Sequence, residues 1–313
     1  MATWKVLITD GLSDKGIAIL RSAAQVDNKP DISADDLLKV AGEYDALVVR
    51  GRTKVTPAVF DAANRLKVVG RAGVGVDNID LTAARSHAVT VVNAPKSTSL
   101  AVAELAVGMM FALARMIPKA DGTMKQGLWI KKQLEGIELT GKTLGIVGIG
   151  NIGSALAARA KGLGMTVIGY DPLVPADEIQ KRGAKPVHIA ELYAQSDFIS
   201  FHLPLTPESK GMVNGQVFAQ MKRGVRIVDA ARGGIIDETA LLAALESGQV
   251  AAAALDVYAS EPPGLTALVA HPNVVATPHI GAQTEEAQDR AAEDIASEVL
   301  NALRGESLRW KIV

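Results

Sequence analysis

The segment Gly148-Ile149-Gly150-Asn151-Ile152-Gly153, with Asp171 eighteen residues past its last glycine, constrains the fold more than any other part of the chain. Residues 142–147 read as a short buried strand running into the first glycine. Residues 154–160 read as a helix opening from the last glycine, and residues 165–170 as a second strand that delivers Asp171 at its end. Three glycines at this spacing also occur in ordinary α/β turns. The strand–turn–helix–strand–acid order around them is what marks a dinucleotide site. The first glycine permits the tight turn, the second lets main chain approach a pyrophosphate, and the third lets helix and strand pack closely. The start of the helix offers unpaired N–H groups and a positive dipole end to the phosphates. Asp171 can accept hydrogen bonds from a ribose diol and repels a 2′-phosphate. Pro172 and Leu173 follow it, with no arginine to receive that phosphate, so the cofactor expected is NAD rather than NADP.

At 313 residues the chain exceeds one typical domain, and two are expected. Residues 5–9, 46–50, 67–71 and 90–93 read as strands, alternating with helices at 15–24, 34–43, 57–64 and 81–87. The theme recurs beyond residue 143. Strands are expected at 143–147, 165–170, 198–202, 225–229, 251–256 and 273–277, and helices near 152–163, 188–195, 214–222 and 238–247. A long final helix over about 283–303 can cross back to the first domain. The fold class expected is α/β: two doubly wound parallel-sheet domains, Rossmann and flavodoxin-like, with an active-site cleft between them. Residues 1–96 with 284–313 form one domain, and 97–283 the dinucleotide-binding one.

Lys and Arg total 33 against 34 Asp and Glu, a balance that argues against a nucleic-acid surface but not against small anionic substrates. The absence of cysteine excludes disulfides, thiolate catalysis and cysteine–zinc sites. The N-terminus enters a strand without a basic leader and apolar stretch, so no export signal is expected and a cytoplasmic location is. The longest apolar run, 105–114, is too short to cross a bilayer, and no membrane partner is expected. It belongs to a helix over 99–117 that packs either against a second subunit or inside its own domain.

Three successive strand ends carry polar groups. Arg232 follows the strand ending at Asp229, Glu261 follows the one ending near Asp256, and His279 follows 273–277. In open parallel sheets ligands gather at these carboxyl ends. Arginine holds a carboxylate with two parallel hydrogen bonds. Imidazole exchanges protons near neutrality, and a carboxylate bonded to it fixes its tautomer. Beside a nicotinamide, these are the parts for moving a hydride and a proton on a 2-hydroxy or 2-keto acid: Arg232 orients, His279 transfers the proton and Glu261 tunes His279. His202-Leu203-Pro204 also ends a strand and reads either as lining the cofactor cleft or as structural. The histidines show no metal-ligand spacing, and no metal is expected. Arg50, Arg52 and Lys54 alternate; if extended they point to one side and can clamp an anion, and otherwise they are a solvated charge run. Main-chain N–H groups at Gly73, Val74 and Gly75 can receive a carboxylate or simply make a tight turn.

Together the glycine motif with Asp171, the ordered Arg232, Glu261 and His279, and the words around them (Ala231-Arg232-Gly233-Gly234-Ile235-Ile236-Asp237 and Ala254-Leu255-Asp256-Val257-Tyr258) resemble the D-isomer-specific 2-hydroxyacid dehydrogenases over essentially the whole chain. The resemblance implies a substrate-binding lid domain from the two ends, a central NAD domain and a homodimer or homotetramer. It adds Asn151, Ile152, Val74, Ala230, Asp256, Gly281 and Ala282 to the cofactor contacts, with the Asp256 carboxylate facing the nicotinamide amide. Arg50 and Arg52 would meet a substrate phosphate, and Gly73, Val74, Gly75, Arg232 and His279 the rest of the substrate. Three departures stand out: Gly51 where a serine is usual, Val74 where some members have threonine, and Ala230 where some have cysteine. The sequence ends at Val313, so feedback through the carboxy-terminal regulatory domains of longer members is not expected. The expected substrate is a phosphorylated three-carbon 2-hydroxy acid. The alternatives are an unphosphorylated 2-keto acid, or an NAD-sensing corepressor-like binding role.

Overall fold

The computed structural model describes residues 4–313. Met1, Ala2 and Thr3, part of the expected first domain and of the stretch read for an export signal, lie outside the described residues. The chain divides into two compact units. One runs to Thr98 and resumes at Ala282; the other is Ser99–Gly281, two residues from the boundaries expected at either end.

In chain order the first unit carries β1 (Trp4–Ile8), α1 (Asp14–Arg21), β2 (Ala24–Asn28), α2 (Ala34–Val40), β3 (Ala46–Val49), α3 (Pro57–Ala62), β4 (Val68–Arg71), α4 (Leu81–Ser86) and β5 (Thr90–Asn93). The second carries α5 (Ser99–Arg115), α6 (Ile117–Lys125), β6 (Thr143–Val147), α7 (Asn151–Gly162), β7 (Thr166–Tyr170), α8 (Ala176–Lys181) and β8 (Lys185–Pro186). It continues through α9 (Ile189–Gln195), β9 (Phe198–Phe201), α10 (Gly215–Gln220), β10 (Val225–Asp229), α11 (Glu238–Glu246), β11 (Val250–Leu255) and β12 (Val274–Ala276). The last helix, α12 (Glu285–Arg304), returns to the first unit.

The first sheet is parallel, in the order β2-β1-β3-β4-β5. Side chains alternate across it, as strand geometry requires. Leu7, Leu47, Val49, Val69 and Val91 pack with α2, α3 and α4, while Val6, Ile8, Val48, Val68 and Val92 pack beneath α1 and α12. The α12 contact is close. A side chain on Gly16 would meet the Ala292 carbonyl at 2.7 Å, and one on Gly70 would run into Val299 and Ile295. Within α12, Glu298, fully buried, holds the chain end. Its carboxylate accepts from the main-chain N–H groups of Arg309 (2.9 Å) and Trp310 (3.1 Å). Residues 310–313 then bridge to β5, the last strand of the sheet.

The second sheet is also parallel, in the order β12-β11-β10-β9-β6-β7-β8. Strand order reverses between β6 and β9, the switch point where open α/β sheets bind ligands. Both domains are thus the doubly wound sheets expected. Two local differences have physical causes. β2 was missed because its sequence, Ala-Gln-Val-Asp-Asn, is that of a polar edge strand, and the apolar pattern of α1 ran into it. The helix expected over 99–117 ends at Arg115, because Met116 takes the left-handed conformation (φ 50°) and Pro118 sits in the first turn of α6. The two helices meet at 65°, and among the described residues no single helix is long and apolar enough to cross a membrane.

Candidate active site

The glycine loop stands at the end of β6, at the switch point. Gly148 has φ 97°, and a side chain there would collide with the His202 carbonyl. One on Gly153 would collide with the Gly148 carbonyl and approach Ile146. One on Gly150 would meet no protein atom within 4 Å. The first and third glycines are therefore required by packing, whereas the second keeps open space above the start of α7. The loop is fastened sideways: Gly148 N–H donates to the Tyr170 carbonyl (2.8 Å), and Ile149 N–H donates to Asp171 Oδ2 (2.9 Å). Asp171 Oδ1 accepts from Leu173 N–H (2.9 Å). Each oxygen retains a lone pair, so the fastened carboxylate can still receive a ribose diol.

His202 follows β9 on the opposite side of the switch point. Its Nε2 lies 2.9 Å from Ser200 Oγ, and its Nδ1 is buried without a partner among the described residues. Burial pushes the imidazole down to about 4, so it is neutral at physiological pH. Leu203 packs over Gly148. An open glycine cradle, a helix N-terminus, a ribose-ready carboxylate and an orphaned polar nitrogen are what a bound dinucleotide would use, and these residues fit one.

Of the three strand-end groups of the second unit, Glu261 and His279 meet directly, and the loop bearing Arg232 packs against the loop after β11. Gly233 lets the loop after β10 approach the loop after β11 so closely that a side chain there would strike the Tyr258 carbonyl. Glu261 Oε1 accepts from Tyr258 N–H (3.2 Å), and Oε2 lies 2.8 Å from His279 Nδ1. The His279 side chain is 48% exposed. His279 has φ 54°, an uncommon conformation for a side-chain-bearing residue. Asp256 holds it there. This fully buried carboxylate accepts from Thr277 Oγ1 (2.6 Å), Ile280 N–H (2.8 Å) and Gly281 N–H (2.7 Å), bracketing His279 on both sides. The carboxylate that the resemblance turned toward a nicotinamide amide is thus engaged with the histidine loop. Arg232 is half-buried beside Ala230 and Ala231, its Nη1 donating to the Ala231 carbonyl (2.6 Å).

In the first unit the alternation argument for the cations fails. Residues 51 and 52 lie in a bend rather than a strand, so Arg50 and Arg52 diverge. The Arg52 guanidinium donates to the carbonyls of Thr9, Pro30 and Ile32 and lies 3.2 Å from Asp10 Oδ1, so it fastens loops. Arg50 follows β3, and its Nη2 donates to Gln283 Oε1 (2.9 Å). Burial lowers its pKa, partly countered by Asp10. Gly73 N–H donates to the Arg71 carbonyl (2.8 Å), leaving the N–H groups of Val74 and Gly75 for an anion. The Val74 carbonyl accepts from Asn93 Nδ2 (2.6 Å), and that of Ala282 from Gln288 Nε2 (2.6 Å).

Two residues escaped the sequence reading. Arg71 ends β4 with its guanidinium beneath Gly73, in the space a side chain there would fill. Its strand-end position, the same as that of Arg50, was the available signal. Asp229 ends β10, fully buried, with Oδ1 accepting from Ala231 N–H (3.0 Å). Burial pushes its carboxyl up to about 7, opposed by the main chain of the Arg232 turn and by the Arg232 charge, and reinforced by Asp256.

Comparison with known proteins agrees with this geometry. Residues 107–281 match the model of the D-isomer specific 2-hydroxyacid dehydrogenase NAD binding domain. The chain is 48% identical over 304 residues to D-3-phosphoglycerate dehydrogenase 2, chloroplastic, of Arabidopsis thaliana, covering 96% of this chain and 49% of that one. It spans about half the length of the curated relatives it matches. The TT0316 protein of Thermus thermophilus superposes with TM-score 0.89 at 33% identity, covering 99% of this chain and all of that one. A glyoxylate reductase from Paecilomyes thermophila does so with TM-score 0.90 at 31% identity, covering 100% of this chain and 99% of that one. With more than half its length in the NAD binding domain model and full-length structural relatives above 30% identity, the chain belongs to the D-isomer specific 2-hydroxyacid dehydrogenase family.

Proposed function

We propose that the chain oxidises 3-phospho-D-glycerate to 3-phosphohydroxypyruvate with NAD, the first step of serine synthesis. The observation that carries the chemistry is the His279–Glu261 pair, 2.8 Å apart, with the His279 side chain half-exposed. In this reading the glycine loop, Asp171 and the start of α7 would hold NAD, which would supply the hydride acceptor for the oxidation at C2. His279 Nε2 takes the C2 hydroxyl proton, and Glu261 holds the tautomer that leaves Nε2 able to do so. Arg232 pairs with the substrate carboxylate. The phosphate is assigned to Arg50, with Arg71 a second cation at a neighbouring strand end; the similarity to relatives named D-3-phosphoglycerate dehydrogenase supports this choice. The structural likeness to a glyoxylate reductase supports the alternative, the same chemistry on an unphosphorylated acid.

His279→Ala is expected to lower kcat by about 100-fold or more while NADH binding, followed by fluorescence, stays within a few-fold. Unchanged turnover would remove His279 from the proton-transfer role.

Arg50→Ala should raise KM for 3-phosphohydroxypyruvate about tenfold or more and leave KM for glyoxylate nearly unchanged. Arg52→Ala should instead lower the melting temperature with equal effects on both substrates. Equal responses to Arg50→Ala would refute the phosphate assignment and favour the unphosphorylated acid.

Asp229 gives the fold a pH dependence of definite sign. Its carboxyl ionises near 4 when unfolded but near 7 when folded, so over that interval only the folded state keeps the proton. The stability this contributes is complete below about 4 and is lost as pH rises through about 7, with a slope of at most about 1.4 kcal/mol per unit. Asp229→Asn should therefore gain on the wild type in denaturant titrations as pH is raised from 5 to 8. A constant difference would contradict the shift.

We also assign a homodimer to the second unit. Leu100, Phe111, Ile117, Met124, Leu128 and Trp129 are exposed on and just after α5 and α6, with Trp129 78% exposed. Replacing Met124 and Trp129 together by Asp should halve the mass measured by sedimentation. A wild-type monomer would exclude the dimer.

A further inference from the structure

We infer that Arg182 is a second determinant of cofactor choice: a guanidinium poised to receive the 2′-phosphate of NADP, kept from doing so by the Asp171 carboxylate. This rests on the dinucleotide reading of the glycine loop. The sequence beside Asp171 holds no arginine, but the fold returns one to the loop from eleven residues downstream. Arg182 caps α8, and Gly183, at φ 94°, turns the chain there toward β8. Its Nη1 donates to the carbonyl of Ile149 (2.7 Å), the residue between the first two glycines. Ile149 N–H donates to Asp171 Oδ2 (2.9 Å). A carboxylate and a guanidinium thus grip the two main-chain polar atoms of one loop residue, and both stand at the ribose end of the site.

The remaining valences of Arg182 define what it can do. Nε donates to Glu178 Oε1 (2.9 Å), and Nη2 has no partner among the described residues. The side chain is 35% exposed, reachable from solvent yet held by two bonds. Lys181, the neighbouring cation, is engaged by Asp177 (3.3 Å) and Glu178 (3.6 Å), so Nη2 is the available donor. A phosphomonoester suits a guanidinium with a free nitrogen, whereas the ribose diol suits Asp171. With Asp171 ionised, a dianion at the 2′ position meets its charge before it gains that of Arg182. Glu178 adds to the repulsion but is neutralised by the two cations it holds.

The experiment is fluorescence titration of the whole chain with NADH and NADPH, which reads binding without turnover. Asp171→Ala should shift the NADPH-to-NADH affinity ratio toward NADPH by tenfold or more, with the gain weakening as salt is raised. Adding Arg182→Gln should abolish that gain, and Asp171→Ala with Arg182→Lys should retain part of it. Melting curves check that each variant is folded, and Asp171→Asn serves in place of a poorly folded alanine variant. If NADPH binds the Asp171→Ala and double variants equally, Arg182 is only a loop fastener and the inference fails while the NAD reading stands. If the wild type binds no NADH, the dinucleotide reading falls and this inference with it.

Discussion

The candidate active site depends on one buried carboxylate. Asp256 directly follows β11 with no exposure to solvent, and its oxygens take three donors from the turn after β12. A buried carboxylate is tolerated when its lone pairs are filled, and each bond to it is stronger for the low dielectric around it. Those bonds hold His279 in a left-handed conformation that its side chain would not choose in solution. Its imidazole is thereby set against Glu261, which is itself steadied by Tyr258 N–H. The Tyr258 hydroxyl closes the arrangement by donating to the carbonyls of Leu255 and Thr277, tying the two strand ends together. Histidine, glutamate and anchor thus sit in the connections that follow two adjacent strands, β11 and β12, of one sheet.

The dinucleotide loop follows the same rule with half-buried groups. Gly148 and Gly153 are glycines because main chain fills the space beside them, and Gly150 because the space is open. Asp171 and Arg182 then fix Ile149 by its N–H and its carbonyl, bonds made within the protein itself. Preorganisation of this kind lowers the ordering cost of binding.

Much of this was legible in the sequence because parallel sheets write themselves as short apolar runs, and because chemistry gathers at strand ends. The β6–glycine–α7–β7–Asp171 order could be read directly, and Arg232, Glu261 and His279 each follow a recognisable strand. Edge strand β2 was not legible, since burial on one side only leaves a polar pattern. The break at Met116 was placed two residues late, because Met116 and Ile117 prolong the helical pattern as far as Pro118, and the left-handed dihedral at Met116 is not written in residue type. The arginines divide in an instructive way. Arg50, Arg52 and Lys54 looked equivalent by spacing, but a bend at residues 51–52 sends Arg52 to three carbonyls of neighbouring loops. Arg182 was invisible because its partner, Ile149, is thirty-three residues away, and only folding brings the two together.

The two buried acids at neighbouring strand ends make a final distinction that composition could not. Asp256 takes donors from a different strand's turn, so its bonds carry information across the sheet. Asp229 takes main-chain donors from its own turn, and desolvation outweighs them, pushing it up to about 7. The difference lies in where the donors come from and how many there are, not in depth, since both side chains are buried. The neighbouring Asp256 carboxylate adds to the upward push on Asp229, after desolvation, which is the main cause. The loop bearing His279 is therefore fastened by a fully bonded carboxylate. The loop bearing Arg232 is fastened instead by a carboxyl that desolvation pushes up to about 7.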